Sequence, residues 1–326
     1  MTTKINTPIL PKDFIETAEG LCFAVVQQGT DRHDGQDKVL CFLRYIKEKA
    51  NSERHWHKVT TEPANDYLMQ HHPEYLYYST HLDAHLHAVS TERIIQHHKP
   101  KQRLQQILAN LFRDNVEQDL YDLCLLLERN GLDLTQIGIT GSLLIGVHQD
   151  SSDIDLVFYE RETFHEARSL IARLIYKNQL ADLSEKDWQE AYNRRSCTLN
   201  RQDYIWHERR KFNKGMINGR KFDLNLVADN LLIESIGYRK LGEVVLQATI
   251  TEDWMSFDYP ALYKIDHETI DTVVCFIATY TGQVVIGETV EISGLLEQAA
   301  DGSSRIVVGS SREAPGEYIK VITCPS

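Results

Sequence analysis

Two aspartates at alternate positions of an apolar segment constrain this chain more than any other feature. In the run Asp153-Ile154-Asp155-Leu156, charged and apolar residues alternate. A half-buried β-strand would project Asp153 and Asp155 from one face and the two apolar residues from the other. Neighbouring carboxylates repel each other, so folding alone gives no reason to pair them. Oxygen ligands in this arrangement suit a divalent cation, Mg²⁺ or Mn²⁺.

A glycine–serine pair precedes these aspartates. Gly141-Ser142 directly follows the apolar residues 136–140, which have the pattern of a strand. In a turn between a strand and a helix, backbone N–H groups and a serine hydroxyl can approach a phosphate. A third carboxylate, Asp223, lies between apolar neighbours in the later segment 221–226, which favours a strand position there as well.

Together these residues resemble the signature of the polymerase-β-type nucleotidyltransferase superfamily, which is Gly-Ser, ten residues, then Asp-Ile-Asp-Leu. The resemblance implies that Asp153 and Asp155 hold two metal ions, and that Asp223 completes the site and helps to activate an acceptor hydroxyl. It also implies that Gly141 and Ser142 hold the triphosphate of an NTP. Two alternating aspartates with no other motif often lie simply at a solvated strand end. That explanation does not account for the glycine–serine pair and the third aspartate of the signature.

Further segments give a narrower resemblance. Residues 19–26, 42–45, 207–211 and 308–319 are similar to a group of mainly archaeal proteins described as predicted nucleotidyltransferases. That group takes its name from the same catalytic signature, so it adds little about function. The archaeal CCA-adding enzymes contain a similar Gly-Ser and Asp-Ile-Asp run in longer chains, and only the catalytic signature is carried over from them.

A basic segment, residues 194–221, stands out in an acidic chain. It holds nine lysines and arginines against two acidic residues, whereas the whole chain has a net charge of −12. Aromatic residues interleave with these cations, as on surfaces that bind phosphates and stack bases. We predict Lys211 and Lys214 as triphosphate contacts, and Arg209 and Arg210 as contacts to the backbone of an acceptor. The alternative is a solvated face of an amphipathic helix.

Composition excludes several classes of protein. The net charge argues against indiscriminate coating of nucleic acid. No apolar run approaches the roughly 20 residues that a membrane span needs, and residues 1–13 have no apolar core of a secretory signal. The six cysteines show no disulfide-framework or metal-binding spacing. We therefore expect reduced thiols in a cytoplasmic protein without a membrane partner.

Histidines concentrate near the start of the chain, with ten of the 14 before residue 100. Several occur in pairs, such as His85 and His87, which raises the idea of a zinc site. Structural zinc sites combine paired ligands at defined spacings, often with cysteine, and none of the cysteines here fits. The sequence favours surface or hydrogen-bonded histidines instead.

The sequence thus predicts a mixed α+β protein of three domains. Residues 1–100 would form an α+β domain, residues 101–240 a nucleotidyltransferase core with a mixed sheet and helices, and residues 241–326 a small all-β, OB-like barrel. The predicted reaction transfers a nucleoside monophosphate from an NTP to a hydroxyl and releases pyrophosphate, with Mg²⁺ or Mn²⁺ as cofactor. RNA, a protein side chain and a small molecule stay open as acceptors, with RNA weakly favoured. The alternative is a nucleic-acid-binding or regulatory protein with an inactive core. The oligomeric state stays open.

Overall fold

The computed structural model describes residues 8–33, 36–47, 56–79, 84–195, 197–228, 238–310 and 314–323. The chain divides into two compact units, Met1–Phe158 and Tyr159–Ser326, and each has its own sheets and core. The predicted mixed α+β class is confirmed. None of the described helices is both long and apolar enough to span a bilayer. Residues 311–313, within the resembling segment 308–319, lie outside the described residues.

The first unit is built on an eight-stranded antiparallel sheet. Its strands are β1 (Phe14–Thr17), β2 (Leu21–Val25), β3 (Asp31–His33), β4 (Gln36–Lys47), β5 (Trp56–Lys58), β6 (Leu76–Ser79), β7 (Ala84–Ser90) and β8 (Ile94–His98). The main spatial order is β6-β7-β4-β2-β1-β8, and β3 and β5 also pair with β4. Helix α1 (Thr61–His71) lies between β5 and β6 in the chain.

Side-chain alternation gives this sheet two apolar faces. On one face, Leu21 and Phe23 of β2 pack with Leu68 of α1 in the main core of the unit. On the other face, Phe14 and Tyr45 pack with Leu144. This second face therefore supports the segment that carries Gly141.

The rest of the first unit contains three helices and two short strands. These are α2 (Pro100–Ala109), α3 (Asn115–Arg129), β9 (Ile137–Ile139), α4 (Gly141–Leu144) and β10 (Ile154–Phe158). Asp114 caps α3, because its carboxylate accepts the backbone N–H groups of Val116 and Glu117. Strands β9 and β10 pair in antiparallel register, with Leu156 opposite Ile139.

The second unit begins with three helices and a hairpin. These are α5 (Arg161–Tyr176), α6 (Glu185–Asn193), α7 (Arg201–Arg209), β11 (Lys214–Ile217) and β12 (Arg220–Leu226). The two-residue turn of the hairpin is Asn218-Gly219, with φ of 52° and 83°. Both angles are those of a type I′ turn, which matches the twist of the paired strands.

The remaining strands of the second unit close into a ring. They are β13 (Tyr238–Glu252), β14 (Ala261–Asp266), β15 (Thr272–Cys275), β16 (Thr289–Ala299), β17 (Ser304–Val308) and β18 (Tyr318–Thr323). Their order is β13-β14-β15-β17-β16, and β16 pairs back onto β13. The β15–β17 pair is parallel, and β18 adds to β16 outside the ring.

The boundary between the units lies at residue 158, whereas the sequence predicted boundaries at 100 and 240. In the first unit, the Thr140 hydroxyl donates to the Lys12 carbonyl at 2.8 Å, so the predicted core segment is bonded to the N-terminal region. In the second unit, Trp188 of α6 and Tyr204 of α7 share one apolar core with Val290 of the barrel. Because these segments share hydrogen bonds and apolar cores, amino-acid composition does not change at the boundary between the units.

Candidate active site

The turn after β9 is held in a conformation that requires glycine. Gly141 has φ of 69°, a left-handed value that side chains disfavour. A Cβ at this position would lie 2.6 Å from Oδ2 of Asp155. The lack of a side chain at Gly141 therefore lets the Asp155 carboxylate approach the turn directly.

Strand β10 presents its aspartates as the alternation predicted. Ile154 and Leu156 are fully buried, Asp155 is half-buried and Asp153 is exposed. The backbone N–H of Thr140 donates to the Asp155 carbonyl at 2.9 Å, which fixes the strand beside the turn. Asp153 has no hydrogen-bond or ion-pair partner in the described part of the chain, so its carboxylate is available for a ligand.

Ser142 is the second residue of the single helical turn α4. Its carbonyl accepts the N–H of Val147 at 3.0 Å, whereas its hydroxyl has no hydrogen-bond partner among the described residues. Because α4 is only four residues long, it adds little helix dipole. Phosphate binding here would depend on the amide groups of the turn and on the Ser142 hydroxyl.

The N-terminal sheet supports this turn from beneath. Leu144 packs in one apolar cluster with Phe14, Cys22 and Tyr45. Burial raises the pKa of Tyr45 to about 12, and the negative charge of Asp155 adds to the rise. The Tyr45 phenol therefore stays neutral beside the carboxylate at physiological pH.

Asp223 lies in the second unit, on strand β12. Its neighbours Phe222 and Leu224 are buried while Asp223 is half-buried, so the strand position predicted for it is observed. Lys214 on β11 is its cross-strand partner. Burial alone would lower the pKa of Lys214, but the carboxylates of Glu208 and Asp223 outweigh burial and raise it. Lys214 is thus a firmly charged ammonium group opposite Asp223.

Lys211 does not occupy the position that the sequence prediction required. Its side chain is only 2% exposed, and its ammonium group donates to the Glu208 carboxylate and to the Thr279 carbonyl. Lys214 pairs with the same carboxylate. The triphosphate role predicted for Lys211 is corrected on this ground, because an enclosed and fully paired amine serves the fold.

The Glu208 carboxylate is the centre of this ion cluster. Burial favours a raised pKa, but the ammonium groups of Lys211 and Lys214 outweigh it and lower the pKa of Glu208 to about 2. Desolvation in turn lowers the pKa of Lys211. One carboxylate thus compensates two buried or half-buried lysines.

The two arginines predicted as acceptor contacts also have internal partners. Arg209 donates to Asp182 at 3.0 Å and to Glu185 at 2.7 Å on the surface. Arg210 pairs with Glu288, whose side chain is only 3% exposed. Arg209 can exchange its surface partners for phosphate at little cost, whereas Arg210 is tied to a buried charge.

A different cluster has the spacing of metal ligands. One oxygen or nitrogen atom from each of Asp114, Glu117 and His148 lies within 4.8 Å of the others. Each already has a partner of its own: Asp114 caps α3 and contacts His148 Nε2 at 2.6 Å, and Glu117 pairs with Arg103 at 2.7 Å. Loop polarity and helix capping account for this cluster without a metal.

The N-terminal histidines agree with the hydrogen-bonded alternative. His87 accepts the Leu43 N–H at Nδ1 and contacts the Asn65 side chain at Nε2, and His97 contacts Asp13 at 2.7 Å. Within the described ranges, no pair of these histidines joins a group with metal-ligand spacing. His55 and His81 lie outside the described residues.

The donor chemistry of the three candidate ligands fits the cofactor that the sequence implied. Asp153, Asp155 and Asp223 offer carboxylate oxygens alone, the donors that Mg²⁺ and Mn²⁺ prefer. Asp153 and Asp155 belong to the first unit and Asp223 to the second. Each half of the candidate site is therefore described within its own unit.

Comparison with known proteins gives a relative that spans nearly the whole chain. The sequence is 33% identical over 347 residues to "Uncharacterized protein MJ1086" of Methanocaldococcus jannaschii, covering 95% of this chain and 98% of that protein. The chain belongs to the family of this protein. The family relation includes both units, not the catalytic signature alone. No protein-family model matches the chain, and no solved structure matches it.

Proposed function

We propose that this protein is a metal-dependent nucleotidyltransferase that moves a nucleoside monophosphate from an NTP to a hydroxyl acceptor and releases pyrophosphate. Asp153, Asp155 and Asp223 would hold two Mg²⁺ or Mn²⁺ ions, which neutralise the phosphate charge and activate the attacking oxygen. Gly141 and Ser142 would hold the triphosphate. Catalysis of this kind is mostly positioning and charge neutralisation.

The contact between Gly141 and the Asp155 carboxylate carries this proposal. A turn whose backbone lies beside a metal-ligating carboxylate would bring triphosphate oxygens and cation together. The unpartnered hydroxyl of Ser142 supports the same function.

Two further features support RNA as the acceptor. The ring of β13, β14, β15, β17 and β16 has the five-strand closure of an OB-like barrel, a fold that often binds oligonucleotides. Arg209 adds a surface cation whose ion pairs are easily exchanged for phosphate. In this proposal β9 to β12 belong to a nucleotidyltransferase core.

The direct test is pyrophosphate release from each of the four NTPs, with Mg²⁺ or Mn²⁺ and total RNA present. We expect label from one or more α-labelled NTPs to appear in RNA only when the metal is added. Label in a protein or a small molecule would change the acceptor. Binding of RNA with no transfer from any NTP would favour the alternative, a nucleic-acid-binding protein with an inactive core.

Substitutions then separate catalysis from folding. Asp153→Asn and Asp155→Asn should each abolish transfer and leave the unfolding temperature equal to or above that of the wild type, since each removes a charge repulsion. Asp150→Asn is the matched control, an exposed aspartate of the preceding loop. Transfer that survives Asp155→Asn would overturn the metal site.

A further inference from the structure

The second unit contains a cavity of about 570 Å³, a size typical of small-molecule sites. Its walls come from α6, α7 and the segment that leads into β11, and they include Trp188, Arg201, Trp206, Phe212 and Lys214. Lys214 is the cross-strand partner of Asp223. The cavity therefore extends from β11, the strand paired with that of Asp223, to the surface of α7.

Two buried donors in the cavity wall lack hydrogen-bond partners. The indole Nε1 of Trp188 and the Nε of Arg201 are both inaccessible and unpartnered within the described chain, and Trp188 as a whole is only 1% exposed. Because both atoms are inaccessible, a ligand in the cavity reaches the outer face of this wall rather than these two donors.

Exposed aromatic rings line the same cavity. Trp206 is 45% exposed and Phe212 is 37% exposed. The Arg210 guanidinium lies 4.4 Å from the centre of the Trp206 ring, which fixes the orientation of that ring. Phe212 has φ of 49°, a conformation that costs a non-glycine residue about 1–2 kcal/mol. An exposed aromatic ring held at that cost is available to stack on a flat ligand.

Polar groups at the cavity suit a base with an attached phosphate. Gln202, whose side chain has no partner among the described residues, offers an amide that can both donate to and accept from a base edge. Arg201, Arg209 and Lys214 bring positive charge. Asp182 and Glu185 form surface ion pairs with Arg201 and Arg209, and pairs of this kind are easily exchanged for phosphate. Glu208 is shared by Lys214 and the buried Lys211.

From this cavity we infer a nucleotide-binding pocket, in which a base stacks on Trp206 and Phe212, hydrogen-bonds to the Gln202 amide, and carries its phosphate to the arginines at the rim. The choice of a nucleotide over other flat ligands rests on the proposed function. A free mononucleotide and the terminal nucleotide of an RNA strand share this chemistry.

The test is calorimetric titration of the full-length protein in EDTA, so that no metal site contributes. One arm uses the four nucleoside monophosphates, and the other uses short single-stranded oligoribonucleotides. We expect millimolar or tighter binding in at least one arm. Preference for a mononucleotide would assign the pocket to a free nucleotide, and preference for an oligonucleotide to an acceptor end. No binding in either arm would overturn the inference.

Variants locate the binding. Trp206→Ala removes a stacking surface and should weaken affinity about 5- to 100-fold. Trp254→Ala is the control, because Trp254 is 43% exposed in the same unit and does not line the cavity. Equal losses in Trp206→Ala and Trp254→Ala, or no loss in Trp206→Ala, would overturn the inference.

The pocket and the transferase proposal can fail separately. Asp155→Asn should retain nucleotide binding in EDTA while it loses transfer. If the wild type binds nucleotides through Trp206 but never transfers a monophosphate, the pocket stands and the proposed function fails. If transfer occurs and Trp206→Ala leaves nucleotide affinity unchanged, the proposed function stands and the pocket fails.

Discussion

Gly141 and Asp155 are in direct contact, with the carboxylate oxygen Oδ2 of Asp155 2.6 Å from the point that a Cβ of residue 141 would occupy. Fourteen positions separate the two residues in the chain, and the pairing of β9 with β10 brings them together. Two conditions therefore require glycine at position 141: the left-handed φ of the residue itself, and the approach of the Asp155 carboxylate from β10.

The first prediction concerns this contact and has a matched control. Gly141→Ala should destabilise the protein by about 2–4 kcal/mol, because the left-handed φ costs about 1 kcal/mol and the contact with Asp155 adds to it. Gly146 has the same φ of 69° with nothing within 4 Å of its missing Cβ. Gly146→Ala should therefore cost only about 1 kcal/mol in urea unfolding.

A double substitution isolates the steric part. In an Asp155→Ala background, Gly141→Ala should cost no more than Gly146→Ala, because the carboxylate is gone. Equal effects of Gly141→Ala in both backgrounds would contradict the contact.

The second prediction concerns the Glu208 cluster. Glu208→Gln should lower the free energy of unfolding by about 3–5 kcal/mol, because it leaves the enclosed Lys211 without a counter-charge and removes one of the two carboxylates that act on Lys214. Lys211→Met should cost less than half as much, since Glu208 keeps Lys214 as a partner. Chemical denaturation measures both. A loss below 1 kcal/mol for Glu208→Gln would mean that Lys211 is accessible and would restore it as a substrate contact.

The third prediction separates the two neighbouring arginines. Arg210→Ala leaves the buried Glu288 carboxylate without its cation and should cost about 1–3 kcal/mol of stability. Arg209→Ala breaks surface pairs only and should cost less than about 1 kcal/mol. If Arg209 contacts an RNA phosphate, the same variant should reduce the salt-dependence slope of RNA binding by about 0.7. An unchanged slope would remove Arg209 from the acceptor contacts.

The fourth prediction is an acid sensitivity set by two histidines, one in each unit. Burial lowers the pKa of His87 to about 4, and burial, with lesser contributions from Lys211 and Arg210, lowers that of His207 to about 4. Each accepts a backbone N–H, His87 from Leu43 and His207 from Val321, and a protonated ring cannot accept.

The sign follows from proton uptake by the unfolded chain. Between pH 6.5 and 4 the unfolded state binds protons at these histidines and the folded state does not, so stability is full above pH 6.5 and falls as the pH is lowered towards 4. Each histidine contributes up to about 3 kcal/mol to this fall. His207→Gln should flatten the dependence of the unfolding free energy over that range. A variant with the wild-type slope would contradict the neutral, buried ring.

Periodic segments were predictable because their local pattern matches their burial. Helices α3 and α5 appear as apolar spacings in the sequence, and β10 as the alternation around Asp155. Strand β14 was not predicted, although Ala261, Tyr263 and Ile265 alternate as buried residues. Strands β1 and β8 were not predicted either; both are short, and they pair with each other although Phe14 and His98 lie far apart in the chain.

Positions of charged side chains were harder to predict than elements. A run of cations does not show which amine faces inward, and Lys211 lies in the interior next to exposed neighbours. Glu208, in the last turn of α7 and three positions before Lys211, was the available signal, because an acidic residue so close in the chain can pair with the amine. The cavity beside Trp206 had no such signal, because it forms only when α6, α7 and the start of β11 pack together.

The closed ring of strands depends on the helices of its own unit to cover its apolar surface. Because Trp188 and Tyr204 of the helices occupy the same core as Val290 of the ring, a chain cut at residue 240 would leave apolar surface on both pieces. The ring cannot be exchanged between proteins as an independent module. A substitution on its inner surface must instead be accommodated by the helices that pack in the same core.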